Sequence, residues 1–593
     1  MGKSGRGRVI PGFIISNCGL PASYSIQYDD MLQEHLETSK WAVARRTFKR
    51  FLNDKTLYED EDCLIALEGV ILNKRELYGR YGASSVEELV KVMRSCEGVA
   101  FFKDFRGSFS GAYFDRESSI WTVWTNHYGN SEVFYYAAKG YVIIGSNFWD
   151  VLNAVKGRQN ISIDETAVLS MLTYGGMNDN QTYVREVKRL LPGHYLTIDS
   201  YGQMYDHTYW SISHDLYDLH DCPEQEIIEG LDRLFRRAVD RQFSKDSEYG
   251  FRHLAELSGG LDSRMISWVA HDLGYSDVVN MTFCQSGYLD EVVAKKLSTD
   301  LGNQFMFMPM DDAGFVKDVD ETIALNFGLT IYSGTTGLRR FLENMNTAAF
   351  GLIHSGTTGD VIVGSYLHDP SESKDEKPGG LYSTLLHDEV QKITEFSLFN
   401  NQEDYLLFTR GFLIIATSDL IRRGYSDVAS PFLDIDFFDY CMSIPLEYRC
   451  GHKLYKKWIC SCYPEAAQYI WEKQGAPVSA GKARVWFSGK IRALSVLGAR
   501  GAVSEIMKRL GMLRGSQKSG ILRGGMNPFD YWFAAHPSIR QALDSMYSSD
   551  LDVVQGLSER VCRDISKVYY EGTAQETTLA ITALHTIRMI MSA

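Results

Sequence analysis

No run of about 18 consecutive apolar residues occurs in this chain of 593, so no segment reads as a membrane-spanning helix. Cysteine is sparse. Its ten residues, at 18, 63, 96, 222, 284, 441, 450, 460, 462 and 562, are too few and too scattered for a disulfide scaffold. The expectation is reduced thiols and a cytoplasmic location. Positive charge is in deficit, 61 Lys and Arg against 75 Asp and Glu, and the net −14 argues against a nucleic-acid partner. The opening MGKSGRGRVIPGFII is basic, but its apolar run is only a few residues long, so it does not read as a signal peptide. Residue 6 is Arg, not Ser or Thr, which disfavours myristoylation. Cys460 and Cys462, near Cys450 and His452, raise the question of zinc. Their C-x-C spacing in an apolar, helix-like run fits structural thiols better. What remains, 45% apolar and 23% charged, is ordinary globular composition, enough for two or more domains with real cores.

Residues 1 to about 205 read as β-rich. VIPGFIIS, DCLIALEGVIL, GSFSGAYFD, SIWTVWTNH, EVFYYAAKGYVIIGS and GHYLTID alternate or run apolar between polar turns, with helices expected near 85–96 and 164–172. This pattern predicts a layered sheet domain. A polar stretch over 205–225 reads as a linker. Beyond it EIIEGLDRLFRRAVDRQF is an amphipathic helix, and strands and helices then alternate through FMFMPM, which predicts a parallel sheet with ligands at the carboxyl ends of its strands. From about 385 the chain reads as mostly helical. Between Gly481 and Gly525 ten Lys or Arg accompany one acid, Glu505. That run is either a solvated face or a dock for an anionic substrate, a leader peptide or a membrane surface.

The stretch LAELSGGLDSRM, Leu254 to Met265, carries the chemistry. A short apolar strand, two glycines and a helix start leave N–H groups and a helix dipole facing one point, which is an anion site. Asp262 would repel a phosphate there unless a divalent cation lay between. The stretch therefore asks for a nucleotide phosphate and Mg²⁺.

With its companions this stretch resembles the asparagine synthetase superfamily, which includes β-lactam synthetases, lasso-peptide cyclases and amidating enzymes of polysaccharide pathways. ALEGVILNKREL, FRGSFSGAYFD, LLPGHYLTID and TYW are similar to markers of the family's amino-terminal half. SGGLDSR, HSGTTGDVIVGSY and DVASPFLDIDFFDYCMSIP are similar to those of its synthetase half. The resemblance implies an Ntn-hydrolase-like αββα sandwich over 1–210. It implies a parallel-sheet ATP-pyrophosphatase domain, of the adenine nucleotide α-hydrolase type with a helical carboxyl-terminal part, over 211–593.

Glutamine-hydrolysing members need an amino-terminal cysteine whose own amine is the base. Here residue 2 is Gly, and Pro11 aligns where the cysteine belongs. The Asn-Gly that stabilises the oxyanion reads Glu68-Gly69, and a carboxylate would repel a developing oxyanion. Glutaminase activity is therefore not expected.

For the synthetase half the resemblance implies that Ser258, Gly259, Gly260 and Ser263 hold pyrophosphate and that Asp262 and Asp360 hold Mg²⁺. Leu257, Thr282 and Phe283 line the adenine pocket, and Ser355 and Gly356 shape the adenylate pocket. Lys473 matches the family's transition-state lysine, although Trp471 stands where the family has Arg; Lys482 and the pair Lys456–Lys457 are the alternatives. The second-step base falls on Thr357 with Asp427, where relatives carry Glu, or Tyr paired with Glu. Arg264 reads as a surface residue of the helix start or as a substrate contact.

The function implied is an ATP-dependent amide ligase. It would adenylate a small-molecule or peptide carboxylate and pass it to an amine, by cyclisation or amidation in a specialised pathway. Ammonia-dependent amidation of an amino acid or cell-surface sugar acid, a catalytically silent adenylate-binding scaffold, and RNA base modification are the rival readings. The resemblance also admits a leader-peptide or carrier partner and a homodimer.

Overall fold

The computed structural model describes residues 8–592 apart from 139, 376–378, 394, 482–484 and 486–525. All ten basic residues of the 481–525 run, Lys482 among them, lie outside the described residues.

The amino-terminal half stacks two six-stranded antiparallel sheets. The first is ordered β10 (Lys188–Arg189), β8 (Phe134–Ala138), β9 (Tyr141–Gly145), β1 (Gly12–Ser16), β3 (Ala42–Phe48), β2 (Met31–Glu37). The second runs β12 (Met204–Thr208), β11 (His194–Ile198), β7 (Ile120–Thr125), β6 (Gly107–Asp115), β5 (Cys63–Ile71), β4 (Thr56–Glu59). Side chains of a strand alternate between faces, and the cores follow that period. Phe13 and Ile15 of β1 meet Leu64 and Ala66 of β5 between the sheets. Ile14 turns outward to helices α3 (Phe148–Lys156) and α4 (Glu165–Tyr174). Ile65 and Leu67 turn outward to α1 (Lys74–Tyr81) and α2 (Val86–Glu97). The result is the αββα sandwich. The polar stretch expected as a linker from 205 begins instead as β12, paired in register with β11 from Met204↔Ile198 to Thr208↔His194.

Helix α5 (Glu224–Glu248) leads into a five-stranded parallel sheet. It is ordered β15 (Gln304–Pro309), β14 (Val278–Cys284), β13 (Arg252–Glu256), β16 (Phe350–His354), β17 (Val428–Ala429), with α6 (Asp262–Asp272) and α7 (Leu289–Asp300) as crossovers. Leu254 and Ala255 of β13 enter different cores, so both faces of this sheet are covered, as parallel sheets require. The rest is largely helical, ending in Ala574–Ser592, which packs on α4 of the sandwich. One core therefore runs from Ile14 through Leu254 and Met281 to Ile587. Among the described residues no helix is long and apolar enough to cross a membrane.

Ion pairs also join the halves. Arg241 of α5 bonds Glu76 through Nε and Nη2, 3.0 Å each, and Asp434 at 2.9 Å. Buried Lys55 spans Glu68 at 3.2 Å and Asp427 at 2.9 Å.

Candidate active site

Strand β13 ends at Glu256, and residues 257–261 turn the chain into α6. The turn is internally bonded. Ser258 N–H donates to Ser263 Oγ (3.0 Å), Gly260 N–H to Ser258 Oγ (3.1 Å) and Gly259 N–H to the Asp290 carboxylate (2.7 Å). The glycine N–H groups expected to grip pyrophosphate are thus already engaged. What faces outward is the N-terminus of α6, which no side chain caps because Leu261 has none to offer. Uncapped first-turn N–H groups and a helix dipole are the chemistry an anion site calls for. Gly259 is required for another reason: a Cβ there would lie 2.8 Å from Glu472 Cβ.

Arg264 is neither a surface residue nor a substrate contact. It is fully buried, and its guanidinium donates to the carbonyls of Gly259, Ala466, Tyr469 and Ile470 at 2.7–3.2 Å. It fastens the 466–470 segment to the loop.

Strand β16 ends at His354, and the second loop turns at Thr358 (φ 65°) into the short helix Gly359–Ile362. This loop is pressed against the first. A Cβ on Gly359 would sit 2.6 Å from Asp262 Cγ, and one on Gly356 3.0 Å from Ser263 N, so only glycine permits the approach. Asp262 and Asp360, 98 residues apart, consequently touch: Asp360 donates its N–H to Asp262 Oδ2 at 3.0 Å. Tyr455 donates to Asp262 Oδ1 (2.9 Å) and Ser365 to Asp360 Oδ2 (3.2 Å). Burial, and next the Asp360 carboxylate, push Asp262 far above the usual carboxylate range.

Lys473 lies in the turn between β18 (Ile470–Trp471) and β19 (Ala476–Pro477). It is exposed, and its charge acts on Asp262, His452 and Lys456. Lys456 sits 5.4 Å over the Trp471 ring and donates to Gly451 O. Lys457 is elsewhere, paired with Glu224, so only one of that pair belongs here.

The structure does not bring Thr357 and Asp427 together. Asp427 precedes β17, and its carbonyl accepts the N–H of Ile353, level with the middle of β16, whereas Thr357 lies beyond that strand's end. Its carboxylate is held by Lys55. The carboxylate that Thr357 Oγ1 meets is Asp419, at 3.4 Å. Ser355 Oγ lies 2.7 Å from Thr357 Oγ1 and donates to Glu256 at 3.0 Å. Arg422 ties the group together, bonding Glu256 at 2.7 and 2.8 Å and Asp419 at 3.0 Å, while Asn130 of the sandwich donates to Asp419 at 2.9 Å. Burial raises Asp419 against the pull of Arg422.

Of the three residues expected around adenine, two are spent on the scaffold. Thr282 donates its hydroxyl to Leu257 O (2.6 Å), and the Leu257 side chain packs on α7 with Ala294 and Leu297. Phe283 is half-buried beside Phe341. Reading the motifs missed Asp290, Tyr455, His452, Glu256, Asp419 and Arg422. Only Asp290 carried a local signal, an acidic first turn on a predicted helix. Of the questioned thiols, Cys450 is buried and Cys460 and Cys462 are half-buried against the core, as structural thiols are.

An uncapped helix N-terminus, with the Asp360 main-chain N–H on the Asp262 carboxylate and lysines nearby, suits a metal-bound polyphosphate. Two family models match the chain, one described as a glutamine amidotransferase domain over residues 54–210 and one as asparagine synthase over residues 230–413. An asparagine synthetase [glutamine-hydrolyzing] 2 of Bacillus subtilis (strain 168) is 24% identical over 274 residues, 42% of this chain and 35% of that protein. An amidase, chyE, of Penicillium rubens is 24% identical over 187 residues, 31% of this chain and 26% of that protein. The matched stretches thus span about a third or less of these relatives' own length. Among solved structures, the glutamine phosphoribosylpyrophosphate amidotransferase of B. subtilis is similar over 51% of this chain and 91% of its own, at 10% identity and a TM-score of 0.25. An allosteric regulatory enzyme of purine biosynthesis is similar over 50% and 74%, at 9% identity and a TM-score of 0.21.

Proposed function

We propose that this chain, which belongs to the asparagine synthetase superfamily, is an ATP-dependent ligase that activates a carboxylic acid as its adenylate and passes it to an amine. The observation that carries this reading is the Asp360 N–H on Asp262 Oδ2, 3.0 Å, at the mouth of an uncapped helix. A pair of carboxylates, like negative charges with hard oxygen donors, fits Mg²⁺. Asp262 and Asp360 would hold the ion. When bound, it neutralises phosphate charge that would otherwise repel the incoming carboxylate.

The chain's own groups divide the remaining work. The first turn of α6, with the Ser258 and Ser263 hydroxyls, holds the pyrophosphate oxygens. Lys473, and Lys456 beside it, place positive charge where it grows as pyrophosphate leaves. Phe283, half-buried, would pack against the base, and Ser355 and Gly356 would shape the wall on which the adenylate rests. In the second step the amine gives up a proton. Thr357 is positioned to relay it to Asp419, whose raised pKa suits a proton acceptor better than an ordinary carboxylate.

The amine does not come from glutamine hydrolysed in this chain. Pro11 immediately precedes β1, and Glu68, where an oxyanion would form, is tied to Lys55 and Thr47. Closure within one substrate, or amidation by free ammonia, in a specialised pathway follows. The test is ATP–pyrophosphate exchange with a panel of carboxylates, alongside a glutaminase assay. Exchange that Asp262→Ala abolishes, without glutamate release from glutamine, is expected. Exchange unaffected by that substitution would refute the reading.

A further inference from the structure

The buried side chain of Arg264 carries a charge that no carboxylate balances among the described residues. Its hydrogen-bond partners are all main-chain carbonyls. Nη1 donates to Ala466 (3.2 Å) and Tyr469 (3.1 Å), Nη2 to Gly259 (3.1 Å) and Ile470 (2.7 Å). One of these carbonyls belongs to the first loop and three to the segment 466–470. A planar fork of donors can span both at once. A lysine, whose three donors radiate from one atom, cannot reproduce that set.

The segment that Arg264 holds runs straight into Lys473. Ile470 and Trp471 form β18, and the next residue, Glu472, donates its N–H to Gly259 O at 3.0 Å, the same carbonyl that Arg264 holds. The Tyr288 hydroxyl donates to the Glu472 carboxylate. Lys473 itself is exposed, and among the described residues no hydrogen bond or ion pair holds its ammonium. The place of that charge is therefore set by the main chain that bears it, and Arg264 fastens this main chain to the first loop.

We propose that Arg264 is a positioning residue: it fixes the turn that carries Lys473 against the loop Ser258–Ser263, so that the lysine charge and the α6 N-terminus act on one pyrophosphate. Arg264 acts through the lysine and not on the ligand. Placement matters because charge interactions weaken with distance, and a misplacement of about 1 Å is costly at a reacting centre. The inference rests on the pyrophosphate role given to Lys473 above and adds what holds that lysine in place.

The experiment is calorimetric titration of the full chain with inorganic pyrophosphate in the presence of Mg²⁺, on the wild type, Arg264→Lys, Lys473→Met and the double variant. Arg264→Lys keeps the charge and loses the fork. Lys473→Met should weaken pyrophosphate binding about tenfold, the scale of one charge-assisted hydrogen bond, and Arg264→Lys should weaken it by a similar factor. The double variant should bind no more weakly than Lys473→Met alone, because a group that works through the lysine has nothing left to place once the lysine is gone. Tyr288→Phe loosens Glu472 and leaves Arg264 intact. It should give a smaller loss that also vanishes in the Lys473→Met background, and it carries the test if Arg264→Lys does not fold. Wild-type affinity in Arg264→Lys or in Lys473→Met, or losses that multiply when either partner variant is combined with Lys473→Met, overturns the inference, while loss of binding in Asp262→Ala leaves the ligase reading standing. Binding that survives Asp262→Ala would instead sink the ligase reading, and this inference with it.

Discussion

Thr357 stands between Ser355 and Asp419, and the three differ in what they can do with a proton. The hydroxyls relay; only Asp419, with its pKa lifted by burial, can keep one. Asp419→Asn should therefore slow amide formation by about 10²-fold while leaving ATP–pyrophosphate exchange nearly unchanged, because general-base catalysis is worth roughly that factor. Asp427→Asn should spare both rates and lower thermal stability, because its carboxylate serves Lys55. Measuring exchange and amide product on both variants decides between them. Loss of product in Asp427→Asn with Asp419→Asn spared would return the role to Asp427. The motifs singled out Asp262 and Asp360 because each lies in its own glycine turn, where local sequence sets geometry, and the fold brings those two turns together. They did not bring out Asp419, which comes to Thr357 from 62 residues away, and no local pattern carries that approach.

At the level of elements, glycine governs how closely the two loops meet. A Cβ on Gly359 would fall 2.6 Å from Asp262 Cγ, so Gly359→Ala must push the carboxylates apart. The expected result is a destabilisation of about 1–3 kcal/mol, as for other overpacked sites, with loss of exchange activity. Denaturant melts and the exchange assay check the two parts separately. A variant with wild-type exchange would mean that the aspartates need not touch. Strands with clean alternation, such as β5 and β6, were legible in the sequence, as was the βαβ alternation after α5. Strand β3 was not, since AVARRTF presents two arginines mid-strand. Both are buried, Arg46 on Asp150 and Arg45 on Glu34, and only the folded partners make those charges tolerable. The π-helix Leu407–Ile415 was equally hidden, because LFTRGFLII reads as any apolar helix.

Across the whole molecule, Lys55 is one of the points where the sandwich and the synthetase half meet in a buried charge. Asp427 and Glu68 outweigh the cost of burying it and hold its pKa above the usual lysine range. Lys55→Met should destabilise the protein by about 3–5 kcal/mol, because it strands two carboxylates. Adding Glu68→Gln should recover part of that loss. A calorimetric scan of both variants reads the effect, and an unchanged midpoint in the single variant would show that the triad is dispensable. The hydrophobic core leads to a broader conclusion. Ile14 of the sandwich, Leu254 of the parallel sheet and Ile587 of the last helix share one apolar cluster, so melting either half strips the other. Cutting the gene in two near codon 210 would yield fragments with sticky, half-built interiors. That mutual dependence makes the sandwich part of the frame on which the parallel-sheet half is built.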